Sequence, residues 1–220
     1  MVLFTTQRRA LALFLSCCAA TWVAAPVLAT AAEEKRILIL GDSLTKGYGL
    51  TLEQAFPALL QKKAKEAGFT GHVVLNGGVS GDTTAGGLRR MGWLLKKRVD
   101  VLVIALGGND GLRGVDPDET AKNLQAIIEK ARKANPDIRL LLAGMEMPQN
   151  MGQEYIDRYQ RVFPAIAKKN KIPLIPFLLK GVGGDPKLNQ PDRIHPNEEG
   201  QKVLAETVWK PLELILRGKN

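Results

Sequence analysis

From residue 37 onward, short uninterrupted apolar runs alternate with longer amphipathic stretches. The runs occupy 37–40, 73–75, 101–106, 140–143 and 173–175. The first four end at Gly41, Asn76-Gly77-Gly78, Gly107-Gly108 and Gly144, and the fifth at Pro176. Continuous apolar runs bounded in this way read as strands buried on both faces of a parallel sheet. The amphipathic stretches near 53–67, 84–97, 119–134, 153–170 and 197–212 read as helices. Asp118 is expected to cap the third, and Asn135-Pro136 to stop it. Pro164 is expected to kink or split the fourth. Strand–helix alternation of this kind predicts an α/β protein. The expected fold is a three-layer α/β/α sandwich, flavodoxin-like, with about five parallel strands and right-handed crossovers. No internal repeat, low-complexity tract or linker divides residues 32–220. Gly181-Val182-Gly183-Gly184-Asp185-Pro186 reads as the most flexible stretch, a loop after the last strand.

The first 31 residues follow another pattern. Arg8 and Arg9 precede an apolar run over 10–25, and Pro26 leads into small residues ending at Ala29 or Ala31. This is the order of a secretory signal peptide, so a periplasmic or secreted protein is expected after cleavage. Lipidation at Cys17 and an uncleaved anchor are the rival readings. Of the 220 residues, 45% are apolar and 24% charged, which excludes a disordered or fibrous chain. The net charge of +9 raises nucleic-acid binding as a possibility. The basic residues are scattered over helix surfaces and aromatics are few, so no nucleic-acid partner is expected. Weak contact with anionic lipid remains compatible with an envelope address. Both cysteines, Cys17 and Cys18, lie in the leader. The remaining chain therefore has no disulfide, cysteine metal site or thiol nucleophile.

A sheet of this kind binds ligands at the carboxyl ends of its strands. Ser43 directly follows the first strand and Gly41-Asp42. It is placed either as an exposed nucleophile or as a helix N-cap, and position alone does not separate the two. A serine hydroxyl needs a base. His72 begins the second strand, at the opposite end of the sheet. His195 lies in Pro191-Asp192-Arg193-Ile194-His195-Pro196-Asn197, before the last helix. Asp192, three residues earlier, can reach its Nδ1–H and leave Nε2 for the serine proton. The alternative is a helix-start histidine beside a solvated aspartate. Pro196 would open the last helix as its first residue. Gly81, in Gly78-Val79-Ser80-Gly81, and Asn109, after Gly107-Gly108, can supply donors to an oxyanion. Met145, Met147, Pro148 and Ile194 flank strand ends. They read either as an apolar groove for an acyl chain or as ordinary core.

Four segments together resemble the blocks of the SGNH hydrolases, also called GDSL esterases. They are Gly41-Asp42-Ser43-Leu44, Ser80-Gly81-Asp82-Thr83, Gly107-Gly108-Asn109-Asp110 and Asp192-x-x-His195. The run Gly107–Gly114 is similar to the branch of periplasmic acyl-CoA thioesterase I, arylesterase and lysophospholipase L1. The resemblance implies Ser43 as nucleophile, His195 as base and Asp192 as its partner. It also implies an oxyanion hole of the Ser43 N–H, the Gly81 N–H and the Asn109 side chain. The implied substrates are small acyl esters and thioesters, including aryl esters and lysophospholipids. No cofactor, metal or obligate protein partner is implied. No G-x-S-x-G elbow, phosphate loop or complete dinucleotide fingerprint is present. Gly47-Tyr48-Gly49 matches the last of these only in part, and one usable histidine without cysteine argues against catalytic zinc. The rival functions are a carbohydrate O-acetyl esterase, for which Tyr48, Trp93, Tyr155, Tyr159 and Trp209 are the available aromatics, and a non-catalytic envelope binding module.

Overall fold

The structure, a computed structural model, describes residues 1–2 and 34–219. The expected cleavage site, the Cys17 alternative and all but the first two residues of the expected leader fall outside the described residues. Five parallel strands form one sheet: β1 (Lys35–Gly41), β2 (His72–Gly78), β3 (Val101–Ala105), β4 (Arg139–Ala143) and β5 (Leu174–Ile175). Their spatial order is β2-β1-β3-β4-β5. β1 and β3 lie inside the sheet and pair along Ile37–Gly41 and Val101–Ala105. Their apolar runs are buried on both faces because helices cover both. β2, at an edge, is only partly buried.

Among the described residues there are seven α-helices, six between strands and the last after β5: α1 (Ser43–Lys46), α2 (Phe56–Glu66), α3 (Thr84–Leu94), α4 (Gly108–Leu112), α5 (Pro117–Ala134), α6 (Gln153–Asn170) and α7 (Glu198–Leu216). α2 packs with α7, while α5 packs with α3 and α6. The expected α/β sandwich is therefore the observed one. Among the described residues, no helix is long and apolar enough to cross a membrane.

Several boundaries differ from expectation. Asp116, not Asp118, caps α5. Its carboxylate accepts the Asp118 N–H at 3.0 Å, and Pro117 fills the first helical position, where its missing N–H costs nothing. Pro164 does not split α6, which runs through it. Pro164 is exposed, so water can take the carbonyl it leaves unpaired. A buried stripe of Ile156, Tyr159, Phe163 and Ile166 holds both halves against the sheet. Pro196 is not the first residue of α7. It precedes Asn197, whose side chain accepts the Gly200 N–H at 3.0 Å as N-cap. α7 also continues past Pro211 to Leu216.

The order places a switch point between β1 and β3, where the chain turns from one side of the sheet to the other. Ser43 follows β1 there and Asn109 follows β3. Gly107 makes the second turn possible. Its φ is +120°, and a Cβ there would sit 2.8 Å from the Phe163 ring.

Candidate active site

Asp42 leaves β1 and caps α1, its Oδ1 accepting the Leu44 N–H at 3.0 Å. The N-cap alternative for Ser43 therefore belongs to Asp42. Ser43 is the first residue of the helix, with its hydroxyl turned to the rim. His195 reaches it from 152 positions along the chain, with Nε2 3.0 Å from Ser43 Oγ. The other ring nitrogen, Nδ1, donates to Asp192 Oδ2 at 2.7 Å. A carboxylate can only accept, so it fixes the proton on Nδ1 and leaves Nε2 to receive the serine proton. Asp192 is itself fixed: its Oδ1 accepts the backbone N–H of Ile194 and of His195, both at 2.9 Å. The His195 backbone N–H first, then the imidazole and the Ile194 N–H, lower the Asp192 pKa from 3.8 to about 2. It stays ionised wherever the imidazole can act as a base. The helix-start alternative for this segment gives way to an ordered turn. The ring of Tyr48 packs against the imidazole, with centroids 4.5 Å apart.

The two residues expected to supply oxyanion donors, Gly81 and Asn109, sit on the neighbouring connections. Gly81 lies in a tight turn after β2, with φ +76° and the Asp82 N–H bonded to Val79 O at 3.1 Å. Asn109 lies in the first turn of α4. Its Nδ2 donates to the Asp82 carbonyl at 3.0 Å and, at 3.3 Å, to Asp42 Oδ2. Asp42 is buried. Burial raises its pKa from 3.8 to about 6, against the lowering effects of the Leu44 N–H and the His195 charge. Asp110 ties the two donor segments together, accepting the Thr84 N–H at 2.8 Å and its hydroxyl at 2.5 Å.

A cavity of about 330 Å³ opens beside Ser43 and His195. Met145, Met147, Pro148 and Ile194 all line it, as do Leu112, Phe177 and Leu179. Met145 and Met147 are also buried in the core, so the two sequence readings of them coincide. A larger apolar hollow, about 480 Å³, lies under Trp93 at the end of α3, away from these groups.

The GDSL-like Lipase/Acylhydrolase family matches residues 39–203. The chain belongs to this family. It is 41% identical to Esterase TesA of Pseudomonas aeruginosa, over 93% of this chain and 99% of that one. To the Thioesterase 1/protease 1/lysophospholipase L1 of Escherichia coli it is 38% identical, over 84% of this chain and 87% of that protein. The crystal structure of the psychrotrophic esterase EstA from Pseudoalteromonas sp., inhibited by monoethylphosphonate, superposes with a TM-score of 0.77. Identity there is 32%, covering 83% of this chain and 99% of that one.

Against the expectations drawn from the four blocks, Ser43, His195 and Asp192 come into contact in the predicted order, and Gly81 and Asn109 lie on the adjoining turns. Tyr48, Phe177 and Leu179 were not singled out for the site. Tyr48 could have been found from its place two residues after the helix that Ser43 opens. Phe177 and Leu179 follow the short β5 and carried no signal beyond apolarity. Of the aromatics considered as sugar platforms, only Tyr48 touches the site. Tyr159 and Trp209 are buried, Tyr155 donates to Val115 O at 2.8 Å, and Trp93 lies at the end of α3.

Proposed function

We propose that this member of the GDSL-like family hydrolyses acyl esters and thioesters through an acyl-enzyme on Ser43. The protein is a carboxylic ester hydrolase by family. The finer reading rests on one observation, the Ser43–His195–Asp192 relay at 3.0 and 2.7 Å. Ser43 Oγ attacks the carbonyl carbon as its proton passes to His195 Nε2. The imidazolium is stabilised by Asp192 and returns the proton to the departing alcohol or thiol. Water, deprotonated by the same imidazole, then releases the acid. The Ser43 and Gly81 N–H groups and Asn109 Nδ2 receive the oxyanion. Of the two Asn109 contacts, the longer one to Asp42 is the one an oxyanion would exchange.

The apolar cavity favours a medium acyl chain, with aryl esters, acyl thioesters and lysophospholipids as substrates. Among the described residues, Phe177 is the one Phe, Tyr or Trp on its wall and Tyr48 packs against the imidazole beside it, so a glycan O-acetyl substrate has few rings to stack on. We assign residues 1–31 as a cleaved leader and the envelope as the site of action. Assays of p-nitrophenyl acetate through decanoate on residues 32–220 test the reading. Burial of about 0.8 kcal/mol per methylene corresponds to a rise in kcat/KM of up to roughly fourfold per added carbon until the cavity is full. Hydrolysis of acetyl groups alone, or undiminished turnover in Ser43→Ala, would refute it.

A further inference from the structure

Behind the turn that carries Gly81 lies a guanidinium that the reaction as described does not use. Arg90, on α3, donates from Nε to Asp82 Oδ2 at 2.8 Å, from Nη1 to Gly77 O at 3.0 Å, and from Nη2 to Gly41 O at 3.2 Å. Its side chain is 22% exposed and that of Asp82 11%. All three acceptors belong to segments that hold the reacting groups. Gly41 ends β1, two residues before Ser43. Gly77 lies near the end of β2, four residues before Gly81. Asp82 follows Gly81 directly, and its carbonyl is the nearer acceptor of Asn109 Nδ2. The Gly41 carbonyl also accepts the Val79 N–H at 3.1 Å, at the start of the Gly81 turn. Asp82 is seated tightly on the first turn of α3: a Cβ on Gly86 would overlap its carboxylate.

We infer that Arg90 is a positioning residue for the oxyanion donors, clamping the Gly81 turn and, through Asp82, the Asn109 amide against the end of β1. The inference rests on the assignment of Ser43, Gly81 and Asn109 made above. A planar fork with donors on several sides matches three acceptors in three directions. A lysine supplies one compact ammonium that reaches fewer of them at once. Displacement of donors by a fraction of an ångström weakens transition-state binding while leaving ground-state binding of the acyl chain intact, because the cavity wall is made by other residues.

The test compares wild type with Arg90→Lys, Arg90→Met and Asp82→Asn on p-nitrophenyl butyrate. Each rate is expressed per active site titrated with a fluorophosphonate, so that misfolded molecules do not count. Arg90→Met should lower kcat per titrated site about 10- to 100-fold with KM within about twofold, and Arg90→Lys should restore part of it. Asp82→Asn preserves the shape of the turn and serves if Arg90→Met does not fold. It should lower kcat per site about 3- to 10-fold. Binding of a boronic acid that forms a tetrahedral adduct should weaken in parallel with kcat. Wild-type kcat per titrated site in these variants, or losses confined to KM or to the number of active sites, would overturn the role. Failure of the wild type to be titrated, or turnover surviving in Ser43→Ala, would instead strike the underlying hydrolase reading.

Discussion

Asn109 has two amide hydrogens, and both have partners in the resting site. The contact to Asp82 O holds the amide in place, and the longer one to Asp42 marks the hydrogen available for exchange. Asn109→Ala should reduce kcat on the order of 10²–10³-fold with little change in KM, measured by steady-state hydrolysis of an aryl ester. Asp42 has a separate thermodynamic signature. Its folded-state pKa is raised, so the unfolded chain ionises first as pH rises from 3.8 to about 6. The folded protein binds more protons across that window, and stability falls as pH rises through it. Asp42→Asn keeps an acceptor for the Leu44 N–H and removes the buried charge. It should stabilise the protein above pH 6, on the order of 3 kcal/mol, with the gain vanishing below about pH 4, as read by thermal denaturation at both values. Asp192 behaves oppositely. Its lowered pKa gives stability that is present above 3.8 and lost as pH falls toward 2. That side chain is well exposed, so solvent screens the effect.

At the scale of elements, what the sequence revealed depended on how local the determinant was. β1 and β3 were legible because both faces are buried and the apolar runs are unbroken. The starts of α5 and α7 and the continuity of α6 through Pro164 differ from expectation because each depends on a contact the periodicity does not encode. These are the Asp116 carboxylate on the Asp118 N–H, the buried stripe beneath Pro164, and the Asn197 amide on Gly200. The glycine-rich stretch after β5 was expected to be the most flexible. The structure makes it a turn after β5 that buries Val182 in the core, and the Val182 carbonyl accepts from Asn189 Nδ2 at 2.5 Å. The meeting of α4 with the cavity wall gives a packing prediction. A Cβ on Gly111 would overlap the Met147 thioether. Met147 is flexible enough to move, and the cavity is the space beside it. Gly111→Ala should therefore leave acetyl ester hydrolysis within about threefold while lowering kcat/KM for octanoyl esters about 10-fold or more, in the same ester series.

At the scale of the whole molecule, topology does most of the placing. The β2-β1-β3 order sets the ends of β1 and β3 side by side, so Ser43 and Asn109 become neighbours although 66 positions separate them in the chain. The Asp192–His195 turn joins them from before α7. The chemical types at those strand ends were readable one by one, and their resemblance to the four blocks supplied the assembly. The cavity wall from Phe177 and Leu179 and the contacts of Arg90 with Gly77 and Gly41 were not readable, since each joins segments distant in the sequence through residues of ordinary type. The most direct measurement of the central claim is peptide mapping after reaction with a fluorophosphonate, run on wild type, Ser43→Ala and His195→Ala. One adduct on the peptide carrying Ser43 is predicted in the wild type, none in Ser43→Ala, and slowing by at least about 10³-fold in His195→Ala. An adduct on another residue, or labelling of Ser43 at the wild-type rate without the imidazole, would contradict the relay.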